Sequence, residues 1–95
     1  MTVYVDDLHA VLNPSDEWRW SESCHLWADT VEELHAFAAK IGMRRSWFQD
    51  RPRFPHYDLT MRRRDVALQS GAVYHNLREW ILKQRRARPM EPADG

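Results

Sequence analysis

The pattern of residues along this chain predicts an α/β fold: a small, mostly parallel sheet of three to four strands with about three helices. Segments with the β-branched and aromatic character of strands alternate along the chain with segments of helical periodicity. Such alternation favours a largely parallel sheet with right-handed crossovers. The length of 95 residues, 43% of them hydrophobic, is that of one domain with one core. We therefore predict a single α/β domain over residues 1–88 and a disordered tail over residues 89–95.

Two strands separated by a long excursion are predicted first. Residues 2–6 have strand character. Residues 8–22 contain an Asn-Pro-Ser turn and a charged aromatic stretch, which indicate an irregular connection of the kind that is often functional. Residues 23–29 return to strand character. Their alternation directs Cys24, Leu26 and Ala28 to one face, suited to a core, and His25, Trp27 and Asp29 to the other, suited to a cleft or a second packed layer.

Three helices and two further short strands follow. A capping box, Thr30 with Glu33, predicts a first helix that starts at Asp29 or Thr30 and ends at Gly42. Residues 45–49 are predicted as a third strand and residues 50–55 as a turn with two prolines. A second helix is predicted from about residue 60 to residue 70, and a fourth strand at residues 72–74. The third helix begins at Asn76, and Pro89 stops it.

Acidic residues follow the first two long strands. In a mainly parallel sheet, Asp6, Asp7 and Asp29 would emerge together at the carboxyl edge, and Asp58 would join them from the loop that opens the second helix. Clustered carboxylates repel one another unless a cation neutralises them. The sequence therefore predicts Asp6, Asp7 and Asp29 as ligands of Mg²⁺ or Mn²⁺. The alternative is that Asp29 and Asp58 simply cap helices.

Histidines accompany these acids. His56 is a candidate general acid or base, because Asp58, two residues on, can orient its ring. The alternative is a histidine hydrogen-bonded within a proline-bounded turn. We take His56, Asp58 and His25 as the candidate catalytic residues. Zinc is not favoured, because the spacing of His25, His35 and His56 matches none of the paired-ligand signatures.

The charges of the chain are divided by position. Residues 1–39 contain eight acids and one base, whereas residues 40–88 contain thirteen bases and four acids. Arginines interleaved with aromatic residues suit a nucleotide or single-stranded nucleic acid, in which the cation meets phosphate and the ring meets the base. Alternatively, the two halves attract each other and the aromatic residues fill the core. The candidate ligand-binding residues are Arg44, Arg45, Trp47, Tyr57 and His35.

Several classes of protein find no support in the sequence. It has no Gly-rich phosphate loop, no Ser/His/Asp order and no CxxC motif. It also has no apolar run near twenty residues and no secretory signal, and the single cysteine, Cys24, cannot form an internal disulfide. We therefore expect a protein of the reducing cytoplasm without a membrane partner.

The ordered segments YVDD, CHLWAD, EELHAFAAKIG, RSWFQ, PHYDLT and SGAV resemble a family of small bacterial and phage proteins, domain of unknown function 4031. The resemblance runs from Val3 to about Arg86. It implies that the His/Asp segments identify the family, whereas residues 14–20 and the tail are peculiar to this member. The resemblance also implies relatives that occur alone or attached to other domains, some of them hydrolase-like. It supplies no established activity, so no catalytic residue is carried over.

The residues are therefore consistent with two functions. The first is a small module that binds a phosphate-bearing ligand, either a nucleotide or a nucleic-acid end, and whose enzymatic form would be a metal-dependent phosphoesterase. The second is a non-enzymatic module that binds nucleic acid or protein through the arginine and aromatic face. The residues predict a site and leave both the reaction and the oligomeric state open.

Overall fold

A computed structural model describes residues 2–11 and 21–87. The fold class is α/β, as predicted, with three helices and a sheet of five short strands among these residues. A 3-10 turn, Arg45–Trp47, follows the first helix. The other elements are β1 Val3–Val5, β2 His9–Ala10, β3 Glu22–Ala28, α1 Val31–Lys40, β4 Tyr57–Leu59, α2 Met61–Gln69, β5 Val73–Tyr74 and α3 Leu77–Ala87.

The sheet is mixed, so the prediction of a mostly parallel sheet is wrong. β3 is the central strand and runs antiparallel to β1, β2 and β4, whereas β5 alone pairs in parallel, with β1. The physical reason is that β3 pairs antiparallel with β1 and with β2, the two strands that precede it, so the chain reverses direction between β2 and β3. The alternation of element types along the chain does not fix the direction of each strand.

A bulge separates β1 from β2 along the same edge of β3. Val5 pairs with Leu26, and His9 pairs with Ser23. Residues 6–8 therefore lie opposite only residues 24 and 25, so one extra residue is inserted. Such bulges bend a strand and redirect its side chains, and they are frequent beside functional sites. Here the bulge begins at Asp6.

The two faces of β3 serve different purposes, as its alternation predicts. Cys24 and Leu26 are fully buried and pack in the core with Leu34 and Ala38 of α1. On the opposite face Trp27 is also buried, but among other rings. It stacks on Tyr4 and lies edge-on to Phe54 and to Trp80 of α3. The helices α1 and α2 thus cover one side of the sheet, and aromatic residues cover part of the other.

The predicted third strand is not formed. Residues 45–47 form the 3-10 turn, and only Gln49 pairs with another chain segment, through a single bridge to His56. A regular strand would send neighbouring side chains to opposite faces. The turn instead leaves Trp47 43% exposed while Phe48 packs against the core.

Threonines cap the first two helices. The Thr30 hydroxyl accepts a hydrogen bond from the backbone nitrogen of Glu33, as the capping box predicts, and Thr60 accepts one from Arg63. The interpretation of Asp29 and Asp58 as helix caps is therefore wrong, because a residue one or two positions further on already occupies the cap. Both carboxylates remain available for other contacts.

Two of the sequence predictions lie outside the described residues: the insert at residues 14–20 and the disordered tail at residues 89–95. Within the described part, none of the helices has the length and apolar character required to cross a membrane.

Candidate metal centre

Three candidate catalytic residues converge on one face of the sheet. His25 on β3 and Asp58 on β4 are direct cross-strand partners, and His56 lies two residues before Asp58. Because side chains on a strand alternate, all three point to the face opposite α1. One potential ligand atom from each residue lies within 4.8 Å of the others.

The ring of His25 is held in position by Asp6. The carboxylate of Asp6 is almost fully buried, and it accepts hydrogen bonds from the backbone nitrogen and from the ring Nδ1 of His25, each at 2.6 Å. The bond from the backbone nitrogen takes the place of the hydrogen bond between strands that the bulge interrupts. The ring bond fixes the tautomer, because a carboxylate accepts and Nδ1 must therefore carry the hydrogen. In the neutral ring, the lone pair is then on Nε2.

The ring of His56 is held in the same way by a backbone carbonyl. Its Nδ1 donates to the carbonyl oxygen of Phe54 at 2.8 Å, which leaves the lone pair of the neutral ring on Nε2. The sequence predicted Asp58 as the group that orients this ring, but the carbonyl of Phe54 performs that role. Histidines that bind metals usually donate the other ring nitrogen to a carboxylate or a backbone carbonyl. His25 and His56 show one example of each.

The atom that faces Nε2 of His56 is a carboxylate oxygen. Oδ1 of Asp58 lies 3.4 Å away, which is long for a hydrogen bond. With Nδ1 as the donor, the neutral ring presents a lone pair to a carboxylate, and two acceptors repel unless a cation lies between them. Two metal bonds of about 2.1 Å that meet at the tetrahedral angle place their donor atoms about 3.4 Å apart. The pair is therefore spaced for a metal ion as well as for a protonated histidine.

The electrostatics of the cluster also favour positive charge. Burial lowers the pKa of His25, but the hydrogen bond and charge of Asp6, together with the charge of Asp58, outweigh burial and raise it. Burial raises the pKa of Asp58, yet the neighbouring imidazoles, of which His56 contributes most, outweigh burial and lower it. The site stabilises an anionic Asp58 beside a cation, which is the arrangement that a metal ion requires.

Two further rings border the cluster, and the sequence assigned neither of them to the site. His9 is stacked on His25 with a centroid distance of 5.2 Å. Phe54 is stacked on His56 at 4.7 Å and lies edge-on to His25 at 5.5 Å. Nothing in the spacing of His9 indicated this position, because it depends on the pairing of β2 with β3. For Phe54, the proximity to His56 in sequence was the available signal.

The family model of the proteins described as Protein of unknown function (DUF4031) matches residues 3–87 of the chain. The chain belongs to this family. The matched region contains every residue of the cluster, from Asp6 to Asp58, so the site lies in the part of the chain that defines membership. No curated protein and no solved structure gives a significant match.

The other acids predicted as metal ligands lie elsewhere in this member of the family. Asp29 accepts hydrogen bonds from the backbone nitrogen of Thr2 and from the hydroxyl of Tyr4, so it lies beside the start of β1, whereas Asp6 lies at its end. Four residue steps along a strand correspond to about 13 Å. Asp7 accepts a hydrogen bond from the hydroxyl of Tyr74. The structure thus brings Asp6 to the cluster and gives Asp7 and Asp29 other partners.

The predicted ligand-binding residues lie on the side of the sheet that faces α1. Tyr57 is buried in the core, and its hydroxyl is hydrogen-bonded to Nδ1 of His35 at 2.8 Å. His35 packs edge-on against Phe48, and the guanidinium of Arg44 lies 5.7 Å from the ring of Trp47. Arg45 is close enough to His35 to influence its pKa. These residues form a group of their own, separated from His25 and His56 by the sheet.

Proposed function

We propose that the chain is a metal-binding module in which His25, His56 and Asp58 hold one divalent transition-metal ion, and that this ion binds a phosphate-bearing ligand. The observation that carries the proposal is the anchoring of both imidazoles through Nδ1, by Asp6 and by the Phe54 carbonyl, which leaves each Nε2 as a ligand atom. An adjustment of the order of 1 Å in side-chain position brings the three donors to the separation of metal ligands.

The donor set indicates which ions suit the site. Two imidazoles and one carboxylate favour Mn²⁺, Fe²⁺, Co²⁺ or Zn²⁺, whereas Mg²⁺ is usually bound by oxygen atoms alone. The sequence argued against zinc from the spacing of the histidines. That spacing is characteristic of ligands on one local segment, whereas here the proposed ligands lie on β3, on β4 and immediately before β4, in segments that are adjacent only in the fold.

Three protein ligands leave at least one coordination position for water or for an oxygen of the ligand, as in catalytic metal sites. A bound metal ion lowers the pKa of its water and neutralises charge on a phosphoryl group. Hydrolysis of a phosphate ester is therefore the enzymatic form of this proposal. In that reaction the water oxygen forms the new bond to phosphorus, the ester P–O bond breaks, and the alcohol leaves with a proton.

The test is titration of the purified chain with Co²⁺ and Zn²⁺, followed by calorimetry and by the visible spectrum of Co²⁺. We expect one ion per chain, loss of that ion in His56→Ala, and a change in the Co²⁺ spectrum when inorganic phosphate is added. His75→Ala is the matched control, because His75 bonds the carbonyl of Asn76 beside α3, away from the cluster. Equal affinity in the two variants would refute the site.

A second candidate function uses the face that carries Arg44, Arg45 and Trp47. The supporting observation is that Trp47 is exposed with a guanidinium over its ring, an arrangement suited to a nucleic-acid base or a protein partner. This function requires no metal ion.

A further inference from the structure

The loop of residues 50–55 leads directly into His56, a ligand of the proposed metal centre. Its two ends are joined by reciprocal backbone hydrogen bonds between Gln49 and His56, at 2.8 and 3.1 Å. Inside the loop, the backbone nitrogen of Phe54 donates to the carbonyl of Arg51 at 3.1 Å, which closes a β-turn with Pro52 at its second position. Proline fixes the backbone there. The loop therefore has a defined shape and ends at a proposed metal ligand.

Phe54 fixes the position of this loop relative to the cluster. Its ring is stacked on His56, and its carbonyl accepts the Nδ1 hydrogen of the same residue. Arg51 and Phe54 are the first and last residues of the turn, so their Cα atoms are less than about 7 Å apart. Arg53 lies between them. The turn thus holds the backbone of both arginines near Phe54, which contacts the proposed metal ligand His56.

The two guanidinium groups are available for an external anion. Arg51 and Arg53 are exposed, and within residues 2–11 and 21–87 the only ion pairs are His25 with Asp6 and His56 with Asp58. Arg63 and Arg64 differ, because they donate to the backbone carbonyls of Ile41 and Asp6. The carboxylate of Asp50, the one acid of the loop, has an upward influence on the pKa of His35, which lies on the other side of the sheet.

The side chains of His25 and Asp58 reach the surface and are 24% and 35% exposed. Two depressions in the described part of the protein are lined by residues of α3 and by residues 74–83, and neither includes the cluster. A small nucleotide is usually bound in a concave pocket that covers most of its surface. A polymer that lies across an open face needs no such pocket, and it offers several phosphates to several cations.

We propose that the phosphate-bearing ligand is a single strand of nucleic acid, of which one phosphate meets the metal ion while neighbouring phosphates meet Arg51 and Arg53. This inference rests on the proposed function, because the metal ion is one of the three cationic groups. Guanidinium groups suit the task because their planar fork donates two parallel hydrogen bonds to a phosphate.

The experiment measures the affinity of Zn²⁺-loaded protein for a labelled oligothymidylate of ten nucleotides. Binding is followed by fluorescence anisotropy at a series of increasing KCl concentrations. The double variant Arg51→Gln/Arg53→Gln removes two phosphate contacts. For single strands, each contact contributes about 0.7 to the slope of log affinity against log salt. We therefore expect the slope to fall by about 1.4 and the affinity at 0.1 M salt to fall by about 25-fold.

The control is Lys40→Gln/Arg62→Gln, which removes the same charge from exposed side chains of α1 and α2, the helices that cover the opposite side of the sheet. We expect this control to bind the oligonucleotide nearly as wild type does. Equal weakening by both double variants, or weakening by the control alone, would overturn the inference. Thermal unfolding of each variant, followed by circular dichroism, checks that the fold is retained.

Two further measurements separate this inference from the proposal on which it rests. Failure of the chain to take up Zn²⁺ in calorimetry would remove the metal centre and the inference together. Uptake of Zn²⁺ with unchanged oligonucleotide affinity in Arg51→Gln/Arg53→Gln would leave the metal centre and overturn the inference alone. Competition by thymidine monophosphate at the same phosphate concentration as effectively as by the unlabelled oligonucleotide would show a mononucleotide ligand and overturn it too.

Discussion

The carboxylate of Asp6 bonds both the backbone nitrogen and the ring Nδ1 of His25, and both distances are 2.6 Å. One side chain thereby performs two tasks at the bulge. It satisfies a backbone donor that has lost its ladder partner, and it sets the orientation and tautomer of an imidazole. Such outer hydrogen-bond partners orient metal ligands and raise their basicity. The contact therefore couples the local structure of the strand to the chemistry of the site.

Replacement of Asp6 is expected to weaken metal binding without removing a ligand. Asp6→Asn keeps the size of the side chain but loses its charge, so the ring of His25 is less firmly oriented and less basic. We expect Zn²⁺ affinity to fall by about 10- to 100-fold, measured by competition with a chromophoric chelator. Asp7→Asn is the matched control, since Asp7 is exposed and its carboxylate accepts a hydrogen bond from the hydroxyl of Tyr74, outside the cluster. Unchanged affinity in Asp6→Asn would show that Asp6 has a purely structural role.

Truncation of a buried side chain in the central strand, β3, should destabilise the whole domain. Leu26 is fully buried between the sheet and α1, so Leu26→Ala removes packed methyl groups and leaves a cavity. We expect a decrease of about 3 kcal/mol in the free energy of unfolding, measured by urea denaturation. The same substitution at Leu82, which is 39% exposed on α3, should cost much less. Similar losses for both variants would contradict the described core.

The thiol of Cys24 should be inert in the native state. Burial, together with the negative charge of Asp6, raises its pKa to about 12, and only the thiolate is a strong nucleophile. We expect labelling by a thiol-specific disulfide reagent at pH 8 to be slow in buffer and fast in urea, where the thiol is exposed and its pKa returns to about 8.5. Equally rapid labelling in both conditions would mean that β3 does not bury this residue.

His35 should make stability depend on pH on the acidic side of neutrality. Burial lowers its pKa, Arg45 lowers it further, and Asp50 partly opposes them. The unfolded chain, in which histidine has a pKa of about 6.5, therefore binds the proton more readily than the folded chain. The contribution is present above about pH 6.5 and is lost as the pH falls through the lower pKa of the folded state.

The measurement is urea denaturation of wild type and of His35→Gln between pH 7.5 and pH 5. We expect the wild type to lose more of its free energy of unfolding over this interval, because the variant lacks the titrating group. The comparison uses the change with pH in each protein, so the loss of the bond to Tyr57 at all pH values does not affect it. Parallel pH profiles would rule out the proposed linkage.

Local patterns in the sequence predicted local structure well. The capping box at Thr30 and Glu33 marked the start of α1, and Asn76 accepts the expected hydrogen bond from Glu79 at the start of α3. The alternation in β3 correctly separated Cys24 and Leu26 from Trp27. These predictions succeeded because caps and strand faces depend on residues that are near one another in the chain.

The same patterns failed where distant residues decide the outcome. Asp6 and Asp29 were expected to meet because both follow strands, but β1 and β3 are antiparallel and place them at opposite ends. His25 and Asp58 meet because their strands pair in register, 33 positions apart in the chain. His9 reaches the site only because β2 pairs with β3.

Local composition and periodicity were sufficient to predict the α/β class, the main helices, the two faces of the central strand and the residue types that a site would use. Which of those residues meet depends on how the strands pair in the folded protein. The physical reason is that the direction and register of paired strands follow from burial of a shared core, and a change of one residue in register moves every side chain to the other face. In this protein that register places His25, His56 and Asp58 on one face, with Asp6 behind them.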